Sequence, residues 1–132
     1  MAIGTGMKVK IRIGPVSLDA QLLDTETARA VYDLLPIEGF NNVWGGEFYF
    51  EIPLYIPADT GATCNVNVGD IGYWPPGKAI AIFFGPTPLS GPDGKPVPAS
   101  DVNLIGKVTG DVKELARAKD FNPIIIEKIK EE

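Results

Sequence analysis

The 132 residues are one domain's worth of chain, 45% hydrophobic and 22% charged, with a formal net charge of −5, the balance of an ordinary globular protein. An acidic chain whose basic residues are scattered offers no clustered face for a nucleic-acid backbone. Histidine is absent and Cys64 is the single cysteine, which removes imidazole catalysis, internal disulfides and Cys/His zinc sites within one chain.

Met1 to Gly6 is too short and polar to be the apolar part of a signal peptide, and no apolar run approaches the roughly 18 residues of a membrane helix. A cytoplasmic protein is expected, with no membrane or nucleic-acid partner, metal or cofactor. One Gln, one Cys, two Met and proline-rich loops would suit a thermophile.

Met7 to Ile13 alternates Met7, Val9, Ile11 and Ile13 against Lys8, Lys10 and Arg12, the period of a half-buried strand. Gly14-Pro15 turns the chain, and Val16, Leu18, Ala20 and Leu22 repeat the alternation, so a hairpin is expected. Asp24-Thr25 offers an N-cap for a helix carrying Ala28, Val31, Leu34 and Leu35, which Pro36 stops. A loop with Phe40 and Trp44 leads through Gly45-Gly46 into a strand from Glu47 toward Ile56. Along it Phe48, Phe50 and Ile52 face one way, and Tyr49 and Glu51 the other.

Cys64, Val66 and Val68 alternate as a further strand, with Cys64 expected to be a buried small apolar residue. Ile71 to Trp74 and Ala79 to Phe84 follow as β-type runs, then a proline-rich loop with the turn Asp93-Gly94. Val102 to Val108 reads as a strand, and Asp111 with Glu114 as the capping box of a short helix. Pro123 to Ile129 is a closing strand able to pair with the first. About eight short strands in so few residues favour a closed or nearly closed barrel, because closure removes exposed edges. Two short helices can plug its ends.

Three patterns invite chemistry. Asp59-Thr60-Gly61 spells the signature of an aspartic protease, which in so short a chain would need a dimer to bring two carboxylates together. The strand leading into Asp59 and the glycine-rich flap are missing, and the same residues make a good turn. Glu47 and Glu51 lie four apart in a strand and share a face, which would permit acid/base work, although two exposed strand residues is the plainer reading. Gly91-Pro92-Asp93-Gly94-Lys95 lacks the following helix that a phosphate loop needs.

Taken in order, several segments resemble the cyclophilin family. Trp44-Gly45-Gly46-Glu47-Phe48-Tyr49-Phe50 is similar to its Phe-rich strand, and Ile80-Ala81-Ile82-Phe83-Phe84 to its later apolar strand. Asp93-Gly94-Lys95 matches a family turn, and Ile105-Gly106-Lys107-Val108-Thr109-Gly110 the strand that precedes a Gly-led helix. Gly69 to Pro88 together with Val102 to Val108 resembles more closely the small prokaryotic cyclophilin-like proteins, whose activity is not established. The resemblance implies a mostly β fold: a closed barrel of about eight strands with two short capping helices, formed by residues 1–132 as one domain.

True cyclophilins stabilise a twisted prolyl amide with an arginine just before the Phe-rich strand. This chain has only Arg12, Arg29 and Arg117, none in that segment, and the family's Trp and His flanking the Asp-Gly-Lys turn are replaced near Gly91 and Pro96. What survives is an apolar pocket floor. The resemblance therefore implies binding of a small apolar or proline-bearing ligand or peptide, without robust isomerase activity, by Trp44, Phe48, Tyr73, Trp74 and Phe83. Phe48, Tyr73, Trp74 and Phe83 are expected to line an open concave patch. The alternatives are an isomerase with an altered site, an acid/base enzyme using Glu47, Glu51 or Asp59, and a structural subunit that forms a homodimer.

Overall fold

The structure, a computed structural model, describes residues 7–129; the leader reading of Met1–Gly6 lies outside the described residues. The first hairpin is β1 (Met7–Ile13) with β2 (Val16–Leu22), paired antiparallel from Met7 opposite Leu22 to Ile13 opposite Val16. Its alternation follows the sequence pattern: Val9, Ile11, Ile13, Val16, Leu18, Ala20 and Leu22 are buried. Helix α1 (Glu26–Leu34) begins where Thr25 accepts a hydrogen bond from the Ala28 N–H at 3.1 Å, the N-cap arrangement that satisfies an orphan amide. It buries Thr27, Ala28 and Val31.

The segment expected as a loop before Gly45 instead forms two short strands, β3 (Ile37–Phe40) and β4 (Asn42–Trp44). Then come β5 (Glu47–Glu51), β6 (Asp70–Trp74), β7 (Ala79–Phe83), β8 (Asn103–Val108) and β9 (Pro123–Lys128). Among the described residues they form one nine-stranded sheet in the order β3-β9-β1-β2-β8-β6-β7-β5-β4, with each neighbouring pair antiparallel. The two edge strands follow one another in the chain with only Asn41 between them. That continuity bends the sheet into a nearly closed barrel.

Two further expectations are corrected. Cys64, Val66 and Val68 do not form a strand: residues 52–69 run without regular structure apart from one bridge between Thr63 and Val102. Cys64 is exposed, not buried. The short helices are α1 and a 3₁₀ segment, Val112–Arg117, where Asp111 accepts from the Lys113 N–H and Leu115 is buried. A single 3₁₀ turn at Pro75–Gly77 joins β6 to β7. Among the described residues no helix is long and apolar enough to cross a membrane.

The sheet buries both faces in its β5–β7–β6–β8 region. Inside the barrel, Phe48, Phe50, Ile52, Ile71, Tyr73, Ile80, Ile82 and Ile105 join the hairpin, α1 and Leu115 in one core. On the outer face Ala81 and Phe83 pack with Val66 and Val102, with Tyr49, Trp74 and Leu104 around them. Val66 and Val102 lie in the two long connections, residues 52–69 and 84–102, which cover this face. Gly72 makes the approach possible: a Cβ there would sit 2.8 Å from Val102 Cγ2.

Candidate functional site

Of the five aromatic side chains expected to bind a ligand, the structure brings two together on a pocket. Trp44 at the end of β4, Glu47 and Tyr49 on β5, and Trp74 at the end of β6 surround a pocket of about 220 Å³, closed from the connection above by Pro98, Ala99 and Val102. Trp44 and Glu47 are direct partners across the β4–β5 pair. Glu47 and Tyr49 are two apart on β5, so the period of the strand puts all three on the outer face. Both tryptophans are half-buried. The Trp74 indole N–H donates to Ser100 Oγ at 2.7 Å, fixing the ring against the covering connection.

The other three rings are packed shut, so the patch expected of them does not open. Phe48 faces the barrel interior, 1% exposed, with its ring centroid 4.2 Å from that of Phe84. Tyr73 also points inward with no exposed surface; its hydroxyl donates to the Leu54 carbonyl at 2.6 Å and accepts from the Ile56 N–H at 3.1 Å. Tyr73 and Trp74, both expected to contact the ligand, are neighbours in the chain. Because β6 runs through both, alternation sends them to opposite faces. Phe83 does lie on the outer face, as its alternation with Ile82 requires, but Val66 and Val102 cover it.

Glu47 is the group whose place in the site the sequence least prepared for. The residue is only 8% exposed, and its Oε1 is buried without a hydrogen-bond partner. Burial alone pushes its carboxyl up from 4.5 to about 7, because the charged form loses hydration that nothing replaces. Its expected companion Glu51 is exposed and lies 3.8 Å from Lys78, so the two do not act as a pair. No local sequence signal marks it: Glu47 shares its face with Phe83, its β7 partner, and that face is buried only once the connections fold over it.

A second pocket of about 590 Å³ is lined by Tyr55, Ala58, Pro75, Pro76, Lys78, Ser100 and Asp101. Beside it the Cys64 thiol donates to Asp101 Oδ1 at 3.1 Å. Desolvation, then the Asp101 carboxylate, push that thiol up, which holds it in the unreactive protonated form. Asp59, the protease-like aspartate, accepts the Gly61 N–H at 2.8 Å, and its carbonyl accepts from the Ala62 N–H. That is a turn, as Asp in such a position favours. Among the described residues no group of three or more His, Cys, Asp or Glu side chains is placed to hold a metal ion.

The arginines lie away from both pockets. Arg12 pairs with Glu127, Arg29 with Asp24 and Arg117 with Glu114, and none lines either depression. The pocket between Trp44 and Trp74 offers aromatic side chains and one buried acid, and no Lys or Arg lines it to stabilise a developing negative charge.

A barrel of antiparallel strands with a helix and a 3₁₀ segment packed on it matches the family pattern seen in the sequence. A family profile described as Cyclophilin-like covers residues 7–127, and the chain belongs to that family. The solution structure of the hypothetical protein AF2241 from Archaeoglobus fulgidus is similar, with 34% sequence identity and a TM-score of 0.80 over 98% of this chain and 100% of that one. No curated protein matches the chain.

Proposed function

We propose that this cyclophilin-like domain binds a small apolar or proline-bearing ligand in the pocket between Trp44 and Trp74, without prolyl isomerisation. The observation that carries the reading is the convergence of both tryptophans of the chain on one largely apolar pocket, with Tyr49, Pro98, Ala99 and Val102 completing it. Aromatic walls with few polar groups are the usual make-up of a small-molecule site. Pockets for drug-sized ligands run to roughly 300 Å³ and above, so this one suits a single ring or side chain. Isomerisation would require a donor aimed at the prolyl nitrogen in the transition state, and no arginine lines the pocket.

Because the two tryptophans are the only ones in the chain, intrinsic fluorescence reports on this pocket directly. Titration with benzyl alcohol and with N-acetylprolinamide is expected to give a saturable change for at least one of them. Ala99→Leu, which fills the pocket from an exposed position on the covering connection, is expected to weaken it. A protease-coupled assay on Xaa-Pro peptides is expected to show the uncatalysed rate. No saturable response to either compound would overturn the binding reading; a clear rate enhancement would replace it with an altered isomerase.

A further inference from the structure

We propose that the Trp44–Trp74 pocket selects ligands carrying an ammonium group, with the Glu47 carboxylate as its ionic partner. The inference rests on the ligand-binding reading above and narrows the ligand to a small organic cation with an apolar body. Three observations carry it.

The first is the position of Glu47. It sits in the sheet between Trp44 of β4 and Phe83 of β7, so its backbone is fixed, and it lines the pocket. More than nine-tenths of the residue is buried, and Oε1 lacks any donor. A buried acceptor left unpaired is costly, and a ligand N–H entering the pocket would supply what the protein does not.

The second is the character of the other walls. Trp44, Tyr49, Trp74, Pro98, Ala99 and Val102 bring no positive charge, and the Trp74 N–H is already given to Ser100. Tyr49 is the only other ionisable side chain in the lining, and the cross-strand partners Trp44 and Phe83 do not titrate. On the same strand, Glu51 lies beside Lys78 outside the pocket. Among the described residues, therefore, no cation of the pocket lining competes for Glu47.

The third is the set of ring faces. Two indoles and a phenol border the same small space, and the negative faces of such rings attract an ammonium, most strongly where water is excluded. A neutral donor would satisfy Oε1 but gain nothing from the rings or from the charge. An ammonium gains from all three, and the net charge of −5 favours the approach of a cation.

Since burial holds the Glu47 carboxyl near 7, pairing with an ammonium below that pH requires the acid to lose its proton. Affinity for the cation therefore rises between about pH 5 and pH 8, and binding at pH 6 releases a proton.

The experiment compares benzylammonium with benzyl alcohol, two compounds of nearly equal shape, on the wild-type protein and on Glu47→Gln, by tryptophan fluorescence and by calorimetry in two buffers. At pH 8 the wild type is expected to bind the ammonium about tenfold tighter or more, the range of a charge-assisted hydrogen bond. The preference should shrink below pH 6. Glu47→Gln should erase it, the two compounds then binding about equally, since the rings that remain hold the shared benzyl body. If the alcohol binds and the ammonium binds no better, or if Glu47→Gln keeps the preference, the ammonium inference falls and the pocket stands. If neither compound nor N-acetylprolinamide binds, the pocket reading falls and this inference with it.

Discussion

Replacing Glu47 with Gln removes a charge that folding must bury, so the two proteins should part in stability as the pH rises. The free acid titrates at 4.5 and the buried one at about 7. Below pH 4.5 the side chain is protonated in both states and adds no pH dependence. Between those values the folded chain holds one more proton than the unfolded chain, and stability falls with rising pH. Above pH 7 the loss is complete. At about 1.4 kcal/mol per pH unit, the interval from 4.5 to about 7 amounts to about 3 kcal/mol. Unfolding entropy near 2.1 cal/mol/K per residue over 132 residues converts this into about 10 °C in Tm. The assay is thermal and urea unfolding of both proteins by circular dichroism from pH 4 to 8.5. Every other titrating group contributes equally to the two curves, so their difference isolates Glu47. The variant should match the wild type near pH 4.5 and exceed it by about 3 kcal/mol at pH 8. Parallel curves over the whole range would refute the reasoning, because Glu47 would then be hydrated in the folded state.

Three further substitutions test the frame around the pocket. Tyr73→Phe removes the hydroxyl that holds Leu54 and Ile56; a loss of about 2 kcal/mol in urea unfolding is expected, with faster proteolysis near Tyr55. Asn103 is fully buried, donating to Thr27 Oγ1 and the Pro57 carbonyl and accepting from the Asp59 N–H, so Asn103→Ala should cost about 3 kcal/mol by the same measurement. At Gly46 a Cβ would sit 2.2 Å from the Gly85 carbonyl carbon. Gly46→Ala should therefore cost about 3 kcal/mol and, by shifting the adjacent Glu47, lower the tryptophan fluorescence response to benzylammonium.

How much of this was legible in the sequence depends on which face of a strand is asked about. The hairpin and α1 with its Thr25 cap follow from local signals, and the number of short strands points to the barrel and to a last strand able to pair with the first. Alternation at period two and a capping side chain act over a few residues, and the structure keeps them. Alternation also assigned Phe50, Ile80 and Ile82 to the interior. It correctly turned Phe83 away from them. What it could not convey is that residues 52–69 and 84–102 return over that outer face. These connections have no periodicity, and Val66 and Val102 reach Phe83 only through tertiary packing. A residue on the outer face of a strand therefore looked open when it was closed. The same blindness hid Glu47, which reads as a solvated strand carboxylate until the covering connection takes its water away.

The location of the pocket follows from the size of the barrel. A barrel of about eight strands has an interior just wide enough for its own side chains, and here Phe48, Phe50, Tyr73 and the aliphatic residues occupy it. A ligand site has to be built outside, and an outer face becomes a pocket only where chain folds back over it. The two long connections supply that cover, and it is incomplete between Trp44 and Trp74, where Pro98 and Ala99 roof the space without filling it. Glu47 lies under the same roof, close enough to be desolvated, and the pocket lining holds no lysine or arginine to serve as its counter-ion. The covering connections that bury Phe83 thus also give the carboxyl its raised pKa. Substitutions that loosen them should lower that pKa and weaken ligand binding together, whereas a substitution inside the barrel such as Phe48→Ala should reduce stability and leave the Glu47 titration in place.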